Sequence, residues 1–213
     1  MTTIKKFTFN PFQQNTIVLY DESKECAIID PGCYYTEEED ELSNFIEQNN
    51  LKPIKLLLTH AHIDHVLGCN YIFKKYKLLP EMHKADIFNL ESVEQIGKMY
   101  GIPNATNPNK PEIFITENQK INIGNTVLDT LFVPGHAPGH LAFVCHSQKF
   151  VINGDVLFYE SIGRTDLPGG DFNTLIKSIK EKMFTLPDDY TIYCGHGPET
   201  TVKHEKEFNP FVN

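Results

Sequence analysis

The chain has 213 residues, of which 40% are hydrophobic and 22% charged, and its net charge is −9. This length suits one domain with an ample core, and the acidic balance gives no electrostatic case for nucleic acid or an anionic membrane surface. The opening MTTIKKFTFNPF lacks the apolar stretch of a signal peptide, and no run approaches the roughly 20 apolar residues of a membrane span. Five cysteines, an odd count without a CxxC pair, point to reduced thiols in the cytoplasm rather than a disulfide framework or a cysteine zinc knuckle.

Residues 4–9, 15–20 and 25–29 read as three strands. Residues 36–49 read as an acidic helix, with Thr36 as its cap, Glu37 to Glu41 at its positive end, and Leu42, Phe45 and Ile46 on an apolar face. An apolar strand at 54–58 then runs into THAHIDH, residues 59–65. Ile63, Val66, Leu67, Tyr71 and Phe73 continue with helical spacing, which places three histidines and an aspartate at a strand-to-helix corner. In α/β proteins such corners are where ligands bind. A further helix is expected at 85–100, and the Pro/Asn-rich stretch 102–111 reads as a loop.

The second half repeats the theme. Strands are expected at 113–115, 120–123, 127–133, 141–145 and 150–153, a helix at 172–184, and a short strand at 191–193. Strands flanked by helices, in two similar halves, point to two sheets packed face to face with helices outside. Three of these strands end in a glycine turn that carries one candidate ligand each: PGH at His136, GD at Asp155 and GHG at His196. Cys194 lies near the last of these and reads as a small buried apolar residue. Arg164 is the single arginine against eighteen lysines, which raises the possibility that a planar fork of donors is needed there.

The series H-x-H-x-D-H, PGH, GD and GHG, in this order, resembles the metallo-β-lactamase superfamily, and the likeness spans nearly the whole chain. GDVLFYESIGRTDLPGG and GHGPETTVKHEKEFNPF are similar to compact glyoxalase II-like hydrolases. The resemblance implies an α+β fold, a four-layer αββα sandwich of two mixed sheets, as a single domain over residues 1–213. It implies a two-metal site. His60, His62 and His136 would hold the first ion and Asp64, His65 and His196 the second. Asp155 would bridge them, with a hydroxide between. Nitrogen and oxygen ligands without thiolate suit Zn and admit Fe or Mn. His140, in PGH, and Asp30, in IDPG, match positions that orient the ligands. His83, His146 and His204 have no motif context and read as structural or solvated.

The implied reaction is thioester hydrolysis, S-lactoylglutathione being the family substrate, with Asp64 orienting the nucleophile or accepting its proton. Glyoxalase II carries a further C-terminal helical region, which a chain ending at FNPFVN is expected to lack. It also has a Lys and a Tyr where this chain has Arg164 and Asp166. Arg164 is therefore the candidate for binding a substrate carboxylate, and a pair with Asp166 or Asp171 is its structural alternative. Val133, Ala137 and Cys33 replace a usual Thr, Thr and Gly. Two other readings stand beside this one. A persulfide dioxygenase would hold one Fe(II) on His60, His136 and Asp155, and a metal-binding interaction module would have no activity. The oligomeric state is left open.

Overall fold

The computed structural model describes residues 1–212. Two six-stranded sheets form its centre. The first contains β1 (Thr3–Phe9), β2 (Gln14–Tyr20), β3 (Glu25–Ile29), β4 (Lys52–Leu57), β5 (Pro80–Met82) and β6 (Ile113–Phe114), side by side in that order. The second sheet uses β7 (Lys120–Ile123), β8 (Thr126–Phe132), β9 (Leu141–Cys145), β10 (Phe150–Gly154), β13 (Thr191–Cys194) and β14 (Thr200–Thr201). Between β10 and β13 the chain makes a small hairpin, β11 (Leu157–Phe158) and β12 (Ser161–Ile162). Both large sheets are mixed: β3, β4, β5 and β6 run parallel in the first and β10 with β13 in the second, the other neighbours being antiparallel.

The side-chain period of two along a strand builds the layers. Ile17, Leu19, Ala27, Ile29 and Leu57 face inward and meet Leu141, Phe143, Cys145, Phe150 and Ile152 of the other sheet. The residues between them point outward. Val18, Ile28 and Leu56 pack under α1 (Thr36–Gln48), α3 (Cys69–Tyr76) and α5 (Val93–Tyr100) through Leu42, Ile46, Ile72 and Val93. On the other side Val144, Val151 and Ile192 pack under α6 (Phe172–Glu181) and α7 (Val202–Phe208) through Leu175, Ile179 and Val202. Three apolar layers thus separate four structural ones, the expected αββα sandwich with helices outside.

Several local expectations change. Thr36 is the first helical residue of α1 and not its cap. The end is closed by Glu38, whose Oε2 accepts from the backbone N–H of Tyr34 at 2.8 Å and of Tyr35 at 3.2 Å. The helix expected over 85–100 is broken into a 3-10 turn at Lys84–Asp86, α4 (Ile87–Glu91) and α5. Ser92 Oγ donates to the Phe88 carbonyl at 2.7 Å, a back-bond that competes with the helical ladder. The segment after the histidine cluster is likewise two helices, α2 (Ile63–Val66) and α3. The helix expected over 172–184 stops at Glu181 and gives way to a 3-10 turn, Met183–Thr185. β5, β11, β12, β14 and α7 lie outside the expected elements; the four strands are only two or three residues long.

Candidate metal centre

Every site residue follows the end of a strand. β4 of the first sheet leads to His60 and, through the single turn of α2, to Asp64 and His65. β8, β10 and β13 of the second sheet lead to His136, Asp155 and His196. The cluster therefore sits where the two sheets meet at one edge of the sandwich.

The donor atoms fall into three overlapping groups, in each of which they lie within 4.8 Å of one another: His60, His62 and His136; Asp64, His65 and His196; and Asp30, His60 and His65, which shares a ring with each of the others. In the first, His136 Nε2 is 2.8 Å from His62 Nδ1 and 3.3 Å from His60 Nε2. In the second, His196 Nε2 is 3.0 Å from Asp64 Oδ2, and His65 Nε2 is 3.6 Å from the same oxygen. Asp155 faces the first two groups. Its Oδ2 is 3.5 Å from His136 Nε2 and 3.5 Å from His196 Nε2, and its Oδ1 is 3.4 Å from His65 Nε2.

The surroundings decide which nitrogen of each ring is free. His136 Nδ1 donates to the Arg164 carbonyl at 2.7 Å, and His196 Nδ1 to the Phe12 carbonyl at 3.1 Å. His65 Nδ1 donates to Asp30 Oδ2 at 3.1 Å. The Thr59 hydroxyl donates to Asp30 Oδ2 at 2.6 Å, which leaves its oxygen to accept from His60 Nδ1 at 3.1 Å. In these four rings the Nδ1–H is taken by an acceptor outside the cluster, so the Nε2 lone pair points into it. Imidazoles held in this way are characteristic of metal-binding histidines. His62 Nε2, His65 Nε2 and Asp155 Oδ1 are buried without a hydrogen-bond partner, and the last two face the cluster. Converging lone pairs and orphaned buried atoms fit a cation, and the set of imidazole and carboxylate donors admits zinc, iron or manganese.

Electrostatics agree with this arrangement. Burial, followed by the charge of His136, lowers the His62 pKa to about 3, and burial drives those of His60 and His140 well below the usual histidine value. Burial opposes charge on His65 too, but Asp155 and Asp64 outweigh it and raise its pKa well above the usual value. Asp155 is also desolvated, yet His65, His136 and His196 hold it ionised far below the usual carboxylate range.

Asp30 and His140, expected to orient the ligands, both contact the cluster. Asp30 Oδ1 also accepts from the Thr59 backbone N–H at 2.7 Å, so one carboxylate orders both the start of the histidine segment and the His65 ring. His140 Nε2 accepts the Asp155 backbone N–H at 3.1 Å, and its ring stacks on His60 with centroids 4.6 Å apart. Arg164 is different. Its Nε and Nη2 each lie 2.7 Å from an Asp166 carboxylate oxygen, and more than half of the side chain is exposed. The guanidinium thus makes the structural pair, while the Arg164 backbone carbonyl orients His136. His83 caps the turn at Lys84–Asp86, His146 meets the Tyr190 hydroxyl, and His204 pairs with Glu160.

Asp86 escaped the sequence reading. It is fully buried, and its carboxylate accepts from the backbone N–H of Ala61, from Gly139 N–H at 3.2 Å and from Asn89 Nδ2 at 2.9 Å. It thereby ties the residue between His60 and His62 to the one before His140. An aspartate in HKADIFNL carries no local sign of such long-range contacts. Gly195, in the glycine turn expected before His196, is also a point of close approach. A Cβ there would lie 2.1 Å from Asp155 Oδ1, so this turn reaches the cluster only without a side chain.

Imidazoles and carboxylates gathered at one edge of an αββα sandwich form a candidate metal-binding site. The chain belongs to the metallo-β-lactamase superfamily, whose sequence profile matches residues 9–196. It is 39% identical over 203 residues to the hydroxyacylglutathione hydrolase GloC of Haemophilus influenzae, an alignment covering 95% of this chain and 94% of that protein. Its fold is similar to the crystal structure of the BLEG-1 B3 metallo-β-lactamase, with a TM-score of 0.90, 32% identity and coverage of 99% and 100% of the two chains. TTHA1623 in a di-iron-bound form is similar at a TM-score of 0.88 and 32% identity, covering 97% and 99%. No described helix is long and apolar enough to cross a membrane.

Proposed function

We propose that this protein hydrolyses small thioesters of the hydroxyacylglutathione type with the help of two divalent metal ions, zinc being the first candidate and iron or manganese the others. The observation that carries the two-ion reading is Asp155, whose carboxylate faces the first two donor groups at 3.4–3.5 Å. His60, His62 and His136 would hold one ion, and Asp64, His65 and His196 the other. The likeness to GloC supports the substrate class. Five buried free thiols suit a reducing compartment such as the cytoplasm.

When bound, such ions polarise a carbonyl and lower the pKa of water to about 7. The chain's own residues do the rest. The outward hydrogen bonds of His60, His65, His136 and His196 hold each ring with Nε2 toward the cluster, and His65, His136 and His196 keep Asp155 ionised, so the site is preorganised for positive charge. Asp64, whose carboxylate oxygen lies 3.0 Å from His196 Nε2, would orient the attacking water or accept its proton. The leaving thiolate needs no general acid of its own, because it is the weak conjugate base of a thiol with a pKa of about 8.5. Arg164 is the candidate for a substrate carboxylate. Asp166 takes one edge of its guanidinium through Nε and Nη2, leaving Nη1 free to donate.

Metal analysis followed by assay of S-lactoylglutathione and other thioesters tests the reading. Two metal equivalents and thioester cleavage are expected. One equivalent of iron with oxygen uptake would replace it with the persulfide dioxygenase reading.

A further inference from the structure

The ligands of the second group come from opposite sheets: Asp64 and His65 follow β4, and His196 follows β13. The β1–β2 turn touches both sides. Asn10 adopts a left-handed conformation, φ 54°, and is almost fully buried. Its Nδ2 donates to the Asp64 carbonyl and the Gly32 carbonyl, both at 2.9 Å. Its Oδ1 accepts the Phe12 N–H at 2.9 Å, and the Phe12 carbonyl in turn accepts from His196 Nδ1 at 3.1 Å. One asparagine side chain thereby links the backbone of one ligand to the ring of another 132 positions further along the chain, by way of three hydrogen bonds.

Asn15, just inside β2, grips the other end. Its backbone N–H donates to the Gly195 carbonyl at 2.7 Å, and its Nδ2 to the carbonyls of Cys194 at 3.0 Å and Gly197 at 2.9 Å. Those three residues bracket His196. The turn is itself anchored, since the Asn10 N–H donates to Glu38 Oε1 at 2.7 Å. Close packing leaves no slack: a Cβ on Gly32 would lie 2.6 Å from the Asp64 carbonyl and 2.7 Å from Asn10 Nδ2.

We infer that Asn10 and Asn15 are positioning residues which hold Asp64 and His196 in register across the two sheets, and that the β1–β2 turn thereby sets the affinity of the second metal position. This rests on the two-ion reading. His60, His62 and His136 receive none of these hydrogen bonds, so the first position should not respond.

The test uses the full chain with zinc. Asn10→Gly preserves the left-handed backbone and Asn15→Ala preserves the strand, and each removes the amide donors. Both dissociation constants are measured by competition with a chelator, together with the melting temperature of the metal-free protein. Losing a partner that orients a ligand typically weakens metal affinity on the order of 10–100-fold. That loss is expected in one of the two steps alone, the other staying within about twofold. Asn209→Ala is the comparison, a buried asparagine that bonds Ser161 and Glu205. It should lower the melting temperature and leave both constants unchanged. Two unchanged constants in the Asn10 and Asn15 variants, equal weakening of both steps, or the same selective loss in Asn209→Ala would each overturn the inference while leaving the two-ion reading intact. A parent protein that binds only one equivalent would overturn both.

Discussion

At the scale of single residues, the contrast is between groups that face the cluster and groups that hold those groups in place. Asp155 belongs to the first kind, and under the two-ion reading its carboxylate would also offset repulsion between the cations. Asp155→Ala is expected to abolish nearly all activity and to cost at least one metal equivalent, measured by elemental analysis and steady-state kinetics. Asp86 belongs to the second kind. In Asp86→Asn one backbone N–H, of Ala61 or Gly139, would meet an amide donor instead of an oxygen, a loss of about 1–3 kcal/mol for a buried unsatisfied group. A lowered melting temperature together with weakened metal binding is expected; full metal affinity in a merely destabilised variant would show that the His60–His62 segment does not depend on it. Arg164→Gln removes an exposed pair worth about 0–1 kcal/mol, so the melting temperature should hardly move. For a thioester with a carboxylate on its thiol half, KM should rise about tenfold with kcat unchanged, and a thioester without that carboxylate should show no such penalty. Equal loss on both substrates would leave Arg164 with the structural pair alone.

At the scale of elements, each turn that bears a candidate ligand is shaped by what passes next to it. The β13–β14 connection carries His196 and brings Gly195 against Asp155 Oδ1, where an added Cβ would sit at 2.1 Å. Gly195→Ala should therefore displace Asp155 or the turn, with loss of metal as the readout and far-UV circular dichroism unchanged. Normal metal content in that variant would mean the turn has room the structure does not show. The sequence signals for these elements were unequal. β3, β7 and β9 were legible to the residue because short apolar runs, continuous in β3 and β9 and alternating in β7, are bounded by polar and turn residues. α4 and α5 read as one helix because their apolar spacing is continuous, and the break depends on the Ser92 back-bond and on Asp86 reaching across to Ala61 and Gly139. β5 is three residues long and begins with Pro80, too little to register as a period.

At the scale of the whole molecule, the site acts as a clasp between two sheets. Ligands converge from β4 on one side and from β8, β10 and β13 on the other, so a bound ion cross-links the sandwich. Metal removal should lower the melting temperature on the order of 10 °C, since saturation at a thousand times Kd contributes about 4 kcal/mol and a chain of this size moves about 2–4 °C per kcal/mol. The metal-free protein should also be acid-sensitive. His62 titrates near 3 in the folded state against 6.5 for the ordinary side chain, and His60 and His140 are shifted in the same direction. Below about 6.5 the unfolded chain takes up protons that these folded rings refuse, so stability falls as the pH drops from there towards 3. His65 and His196 have raised values, and their contribution is already complete in that window. A melting temperature that stays level between pH 6.5 and about 4.5 in the metal-free protein would contradict this balance.

By itself the sequence determined the periodicities and the punctuation. Alternating apolar strands dictated two buried sheets, and glycine turns at the strand ends marked where His136, Asp155 and His196 leave them. The spacing of His60, His62, Asp64 and His65 is local, so their proximity was legible without any fold. What only the tertiary structure decided is which distant groups meet. That one carboxylate of Asp30 serves both Thr59 and His65, that Asp86 joins Ala61 to Gly139, that Asn10 reaches Asp64, and that the Arg164 carbonyl holds His136, are consequences of how the strands pair and the sheets pack. Hydrogen bonds between residues far apart in the chain leave no period or spacing in the sequence, because the geometry that makes them exists only once both sheets have folded.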